Sequence, residues 1–245
     1  MPDSVWAVVV AAGQGTRFGG RKQFAVVGTR SVLEHAVAAV APTSDGIVVV
    51  LPPDLAGRPD ALDALGLRPE AATSELKVAC GRESRAGSVR AGLEAVPSHC
   101  RIVVVHDAAR PLASPSLCER VVGAVRAGAD GAIPVLALTD TVKRVAGSEV
   151  VETLDRSALV RVQTPQAFEA AALRAAHAGD PEATDDAGLV ERRGGRVVVV
   201  PGEEANVKLT SASDLALVSW WHGQLSSAGA GDGAGTVTAR PGSEP

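Results

Sequence analysis

Two lysines, an arginine and an aspartate stand where apolar runs break off, and that set of groups suits the handling of phosphate. Val5–Val10 runs into Ala11-Ala12-Gly13-Gln14-Gly15-Thr16-Arg17, and Lys22 follows. Small residues and glycines let backbone N–H groups approach a ligand closely, while Arg17 and Lys22 supply the charge that a polyphosphate needs. The spacing fits neither of two common phosphate loops. A dinucleotide fingerprint needs a third glycine where this chain has Phe18, and a Walker-type loop needs Gly-Lys-Ser/Thr where Lys22 lies between Arg21 and Gln23. Taken alone, the segment is either a nucleotide cradle or a plain strand-to-helix turn.

A second site candidate closes the run Ile102–Val105, which ends in His106-Asp107-Ala108-Ala109-Arg110-Pro111. A carboxylate leaving a buried strand beside a polyphosphate loop can hold Mg²⁺, an ion that takes oxygen ligands and commonly bridges carboxylate and phosphate. The other reading makes Asp107 a turn cap before Pro111. Further on, Asn206-Val207-Lys208-Leu209-Thr210 alternates like a short strand and carries Lys208, which is either a site residue or a surface lysine.

The elements that must position these groups follow an α/β pattern. Short apolar runs recur at Val5–Ala11, Gly46–Leu51, Leu76–Cys80, Ile102–Val105, Gly131–Leu138 and Val197–Val200, separated by helix-like stretches. Helix starts are marked by Ser31 with Glu34, by Ser114-Pro115 and by Ser211 with Asp214. Ligands of such sheets gather at the carboxyl ends of the strands, where the first loop lies. The stretch 140–156 departs from the pattern. Its two alternating segments around Ala146-Gly147-Ser148-Glu149 predict a β-hairpin. Isolated hairpins are marginal in water, so this one is either a surface excursion or an arm that packs on a second subunit.

At 245 residues the chain can bury a substantial core, and no linker interrupts the alternation before about residue 225, which favours one domain over 1–225. Residues 226–245, rich in Gly, Ala and Ser, are expected to be a disordered tail. A net charge of −4 argues against a general nucleic-acid or membrane-surface binder. Cys80, Cys100 and Cys118 lack the paired spacing of a zinc site or disulfide framework, and neither a membrane span nor a signal peptide is legible. A cytoplasmic protein is expected.

Three segments together resemble one family: the first loop with Lys22-Gln23-Phe24, the block His106–Pro111, and Asn206–Thr210. They are similar to the 2-C-methyl-D-erythritol 4-phosphate cytidylyltransferases of non-mevalonate isoprenoid synthesis. The likeness continues through Arg85-Ala86-Gly87-Ser88-Val89, Asp140-Thr141-Val142-Lys143, Asp155-Arg156, Gln163-Thr164-Pro165-Gln166 and Ala183-Thr184-Asp185-Asp186, so it spans residues 5 to about 222. It implies a Rossmann-like nucleotidyltransferase fold, a mostly parallel sheet flanked by helices, and a homodimer formed through the hairpin arm.

The implied reaction joins CTP and methylerythritol phosphate with release of pyrophosphate, aided by Mg²⁺. By the same resemblance Arg17, Lys22 and Lys208 are catalytic, and Asp107 binds Mg²⁺ or the ribose-phosphate region. Ala11, Ala12, Gly13, Gly15, Gly81, Glu83 and Ser88 contact the nucleotide. Arg110, Thr141, Arg156, Thr164 and Lys208 hold the polyol phosphate, some of them across the dimer. Three positions depart from the family pattern: Arg21 stands where proline is usual, in a shorter loop where it could supplement Lys22, Arg82 replaces a second glycine, and Ala205 replaces an aspartate. A cytidylyltransferase for ribitol 5-phosphate or another polyol phosphate is the alternative, and a non-catalytic nucleotide-binding module is a more distant one.

Overall fold

The computed structural model describes residues 4–15, 18–67 and 75–231. In chain order, β1 (Val5–Val10) leads into the first loop, followed by a two-strand ribbon, β2 (Val26–Val27) and β3 (Arg30–Ser31), and by helix α1 (Val32–Val40). β4 (Gly46–Leu51) precedes two one-turn helices, α2 (Pro53–Ala56) and α3 (Ala61–Ala64). Then come β5 (Glu75–Cys80), α4 (Arg85–Ala95), β6 (Ile102–Asp107), α5 (Pro115–Arg126) and β7 (Gly131–Ala137). The chain continues through β8 (Val142–Ala146), β9 (Glu149–Leu154), β10 (Val160–Val162), β11 (Gln166–Glu169), α6 (Ala170–His177), α7 (Ala187–Arg192), β12 (Val197–Pro201) and α8 (Ala212–Gly231).

The valine-rich runs become the central strands because both of their faces are covered. Val5, Ala7 and Val9 of β1 pack with Leu33 and Val40 of α1 and Val121 of α5. Trp6 and Val8 face the other way, against Val89 and Leu93 of α4 and Leu173 of α6. The result is three layers, helices on either side of one sheet, as buried parallel strands require. The helices begin where the sequence predicts. Ser31 and Glu34 close a reciprocal capping box on α1, the Ser114 hydroxyl accepts from Leu117 N at the start of α5, and the Asp214 carboxylate accepts from Ser211 N in α8.

The main sheet runs β5-β4-β1-β6-β11-β7-β10, with β12 also pairing to β7. β5, β4, β1 and β6 are mutually parallel, as is the β7–β12 pair, whereas β11 and β10 run antiparallel to their neighbours. The sheet is therefore mixed, with a parallel centre. The antiparallel insertions carry no long apolar run: β11 reads Gln-Ala-Phe-Glu and gains its place by burying Phe168 and Ala167 between β6 and β7.

The predicted hairpin is present as β8–β9, paired from Val142 with Leu154 to Ala146 with Glu149 and standing apart from the main sheet. Two expectations need correction. Asn206–Thr210 is not a strand; Leu209 N donates to Ala109 O, while the rest of the segment is fixed by side chains described below. Residues 226–231, expected in the tail, are the end of α8, where the Ser226 and Ser227 hydroxyls donate to the His222 and Gly223 carbonyls. Residues 232–245 lie outside the described residues.

Candidate functional site

β1 lies between β4 and β6, so the crossovers leaving it and returning to β6 pass to opposite sides and open a crevice at the carboxyl ends of these strands. Register places Val10, the last residue of β1, directly beside Asp107, the last residue of β6. A cleft of about 1060 Å³ opens there, lined among others by Ala11, Gly13, Lys22, Gly81, Asp107 and Lys208.

The first loop is held open by a side chain to which the sequence assigns no role. Gln23 is buried and its Nε2 donates to the carbonyls of Ala11 and Gly13 at 2.8 and 3.1 Å, which ties those carbonyls down beneath the cleft. Gly15 adopts φ +66°, and a Cβ there would collide with the Gly20 carbonyl, so the loop folds back on itself only with glycine at this position. Lys22 Nζ donates to Leu209 O at 2.7 Å, which draws the loop to the segment carrying Lys208. Arg17 lies outside the described residues. Arg21 turns to Asp54 and pairs with it at 2.8 Å.

Across the cleft, Gly81 packs so tightly that a Cβ would strike Ala12, which gives this glycine its reason. The Ser88 hydroxyl accepts from Arg82 N and donates to Arg82 O, both at 3.1 Å, and so pins the loop between β5 and α4. Arg82 does not add its guanidinium to this loop; it forks onto Glu94 at 2.6 and 2.9 Å. Glu83 is exposed at the cleft lining.

The floor is a chain of charges. Lys208 Nζ meets Asp107 Oδ2 at 2.7 Å, and Arg85 reaches Asp107 Oδ1 at 3.1 Å and Asp186 Oδ2 at 2.8 Å. Asp186 Oδ1 in turn meets His177 Nε2 at 3.0 Å. Burial alone would push the Asp107 carboxyl up, but Arg85 and Lys208 outweigh it and hold this group below the usual carboxylate range. Asp186 is likewise lowered against its burial, by the His177 hydrogen bond and by Arg85. Both carboxylates are thus ionised at neutral pH, and their field stabilises the Arg85 charge despite its burial.

Beneath Asp107, His106 is fully buried, and burial lowers its imidazole to about 4. The ring is neutral, so Nε2 carries the proton toward Arg110 O at 3.2 Å, and Nδ1 accepts from the Thr164 hydroxyl at 3.0 Å. That hydroxyl also accepts from Asp107 N, so Thr164 fixes the backbone on which the carboxylate sits. Arg110 ties the Asn206 and Val162 carbonyls together at 2.7 and 3.2 Å. Gln163 bonds the backbone of Glu203 and the Asn206 carbonyl, and Asn206 Nδ2 donates to Thr164 O at 2.9 Å. Together they hold an irregular segment in the place that presents Lys208.

The family model of 2-C-methyl-D-erythritol 4-phosphate cytidylyltransferase matches residues 5–222. The chain belongs to this family. A cytidylyltransferase of this name from Nocardia farcinica is 44% identical over 219 residues, covering 87% of this chain and 92% of its own length. A bifunctional enzyme IspD/IspF from Solidesulfovibrio magneticus is 44% identical over 226 residues, covering 87% of this chain and 56% of its own, so the chain spans about half the length of such bifunctional relatives. The 4-diphosphocytidyl-2C-methyl-D-erythritol synthase structure from Anaerococcus prevotii superposes with a TM-score of 0.76 at 28% identity, over 91% of this chain and all of that one. The nucleotidyltransferase fold of the cytidylyltransferases is thereby shared.

Set against the residues expected of a cytidylyltransferase, the structure brings Lys22, Gly81, Glu83, Ser88, Asp107 and Lys208 to one cleft together with Ala11, Ala12 and Gly13. Thr164 and Arg110 stand behind it, the Thr164 hydroxyl engaged by Asp107 N and His106 and two Arg110 nitrogens by backbone carbonyls. Thr141 and Arg156 do not line the cleft within one chain; both are exposed at the base of the arm, where Arg156 donates to Thr139 O. Among the described residues, no three His, Cys, Asp or Glu side chains gather to hold a metal. Asp107 fits Mg²⁺ as one ligand in a set completed by phosphate and water, because an ionised carboxylate keeps lone pairs beyond those used by Arg85 and Lys208.

Proposed function

We propose that the protein transfers the cytidylyl group of CTP to 2-C-methyl-D-erythritol 4-phosphate. The observation that carries this reading is the meeting of Lys208 and Arg85 at ionised Asp107, in a cleft that Lys22 also lines, at the switch point of the parallel strands. A phosphate oxygen of the polyol phosphate attacks the α-phosphorus of CTP, a new P–O–P linkage forms, and the bond to the β-phosphoryl group breaks with its electron pair leaving on pyrophosphate. Little covalent work falls to the protein, and charge placed in advance lowers the barrier. Lys22 faces the triphosphate and meets the charge that grows on the α-phosphoryl oxygens, a role the family resemblance extends to Arg17. Asp107 fixes Lys208 toward the incoming phosphate.

Mg²⁺ held by Asp107 and the phosphates would neutralise the triphosphate further. Cytosine is recognised by backbone groups of Ala11–Gly15 and Gly81, by Glu83 and by the lone pair of the Ser88 hydroxyl that Arg82 leaves open. Thr164 and Arg110 shape the polyol pocket from behind. Thr141 and Arg156 complete it from a second subunit, docked through the arm of a homodimer. A cytoplasmic location is supported by Cys80, Cys100 and Cys118 being free thiols.

Purified protein given Mg²⁺, each of four nucleoside triphosphates and either methylerythritol phosphate or ribitol phosphate tests this by pyrophosphate release. CTP with methylerythritol phosphate is expected to exceed the ribitol pairing at least about a hundredfold in kcat/KM, since unpaired polar groups add to the 1–3 kcal/mol of a methyl group. Equal use of both polyols would overturn the substrate while leaving the nucleotidyl transfer. Asp107→Asn should raise the Mg²⁺ concentration needed for half-maximal rate; an unchanged requirement would remove Asp107 from the metal.

A further inference from the structure

We propose that Arg21 is an additional triphosphate-binding residue, paired with Asp54 across the cleft and handed over to the nucleotide when it enters. The proposal rests on the reading of this cleft as a nucleoside triphosphate site and names a contact that Lys22, Lys208 and Arg85 do not make.

Arg21 directly precedes Lys22 at the end of the first loop, and Asp54 belongs to α2, the turn that follows β4; both line the cleft. The guanidinium forks onto the carboxylate, one nitrogen to each oxygen, at 2.8 Å for both contacts. That two-pronged geometry is the one by which arginine also grips a phosphate group, so a triphosphate can replace the carboxylate without a change in the donor's shape. The pair is open to water, with side-chain exposure of 42% and 56%. Exposed pairs of this kind bias an equilibrium by only about fivefold or less, a small hold against a ligand of several negative charges.

The other cleft arginines are not exchangeable in this way. Arg85 is locked between two buried carboxylates, and Arg82 is held by Glu94, which does not line the cleft. Among the described residues, Arg21 is the cleft arginine whose partner also lines the cleft and is more than half exposed. Asp54 therefore acts twice against a triphosphate: it occupies the donor, and once released it stands as a negative charge beside the ligand. The arrangement sets affinity for the nucleotide below what the loop could reach.

Calorimetric titration with CTP and with inorganic triphosphate, at fixed low ionic strength, tests this on the wild type, Asp54→Asn, Arg21→Gln and the double variant. Both side chains are exposed, so thermal melting should be unchanged and serves as the fold control. Asp54→Asn should tighten binding of both ligands about threefold, and Arg21→Gln should weaken it by about the same factor. With Arg21 already replaced, adding Asp54→Asn should change affinity less than the single substitution does. Equal tightening in both backgrounds would reduce Asp54 to a background charge and overturn the exchange, as would unchanged or weaker binding by Asp54→Asn. If wild type binds neither ligand, the nucleotide reading of the cleft fails along with the proposal. If wild type binds and the two substitutions act independently, only the exchange fails.

Discussion

The floor of the cleft and the hairpin arm are built from similar charged and β-branched residues, yet they meet opposite fates. In the floor, Asp107, Arg85 and Asp186 are buried or nearly so, each charge is answered by another, and His177 hydrogen-bonds Asp186. On the arm, Arg144 pairs with Glu152 in the open, while Val145, Val150 and Val151 are 58%, 61% and 56% exposed. A buried charge has to be satisfied within its own chain, because leaving it unpaired is costly. An exposed valine face can wait for a cover. The floor is therefore complete within one chain, and the arm offers the exposed face on which the proposed second copy would dock.

The sharpest way to break this comparison is to remove the arm. Deleting Val142–Leu154 and closing the gap with Gly-Ser is expected to give a folded but inactive monomer, read by sedimentation and pyrophosphate release. An active dimer would make the arm an ordinary excursion.

Next in size is Asp186→Asn, which leaves Arg85 short of a buried partner and should lower unfolding stability by about 3–5 kcal/mol in urea. Lys22→Ala should leave the fold intact and reduce kcat by roughly a hundredfold or more, since loss of one group that meets transition-state charge costs about 3 kcal/mol. Near wild-type turnover would remove Lys22 from the chemistry.

Acid titration, followed in chelator, addresses His106. Folded protein keeps this ring neutral down to about 4, whereas the unfolded chain protonates it near 6.5. Protons therefore favour the unfolded chain as pH falls from 6.5 to 4, and stability should decline over that window. His106→Gln should flatten the decline. The smallest effect is expected on the arm: Glu152→Gln, breaking an exposed pair with Arg144, should change stability by less than about 1 kcal/mol. A change as large as that of Asp186→Asn would erase the contrast between the two regions.

Much of this was legible in the residues. The valine runs at 5–10, 46–51 and 102–107 announce strands because continuous apolar character needs cover on both faces, and Ser31 with Glu34 or Ser114 with Pro115 mark helix starts through local bonding. β11 was not legible, since Gln-Ala-Phe-Glu is a strand only by virtue of the neighbours that bury it. The alternation of Asn206–Thr210 misled for the converse reason: its partners are the side chains of Gln163 and Arg110, distant in sequence, and not a sheet edge.

By itself, then, the sequence determined the α/β class, the succession along the chain of the first loop, the strand ending at Asp107 and the arm, and the family through motifs whose spacing is local. Tertiary structure alone decided which groups touch. Arg85 lies 22 residues from Asp107 and 101 from Asp186, and Lys22 lies 187 from Leu209. Pairing across such distances is set by sheet order and by the need of every buried charge for a partner, and neither is written in local spacing.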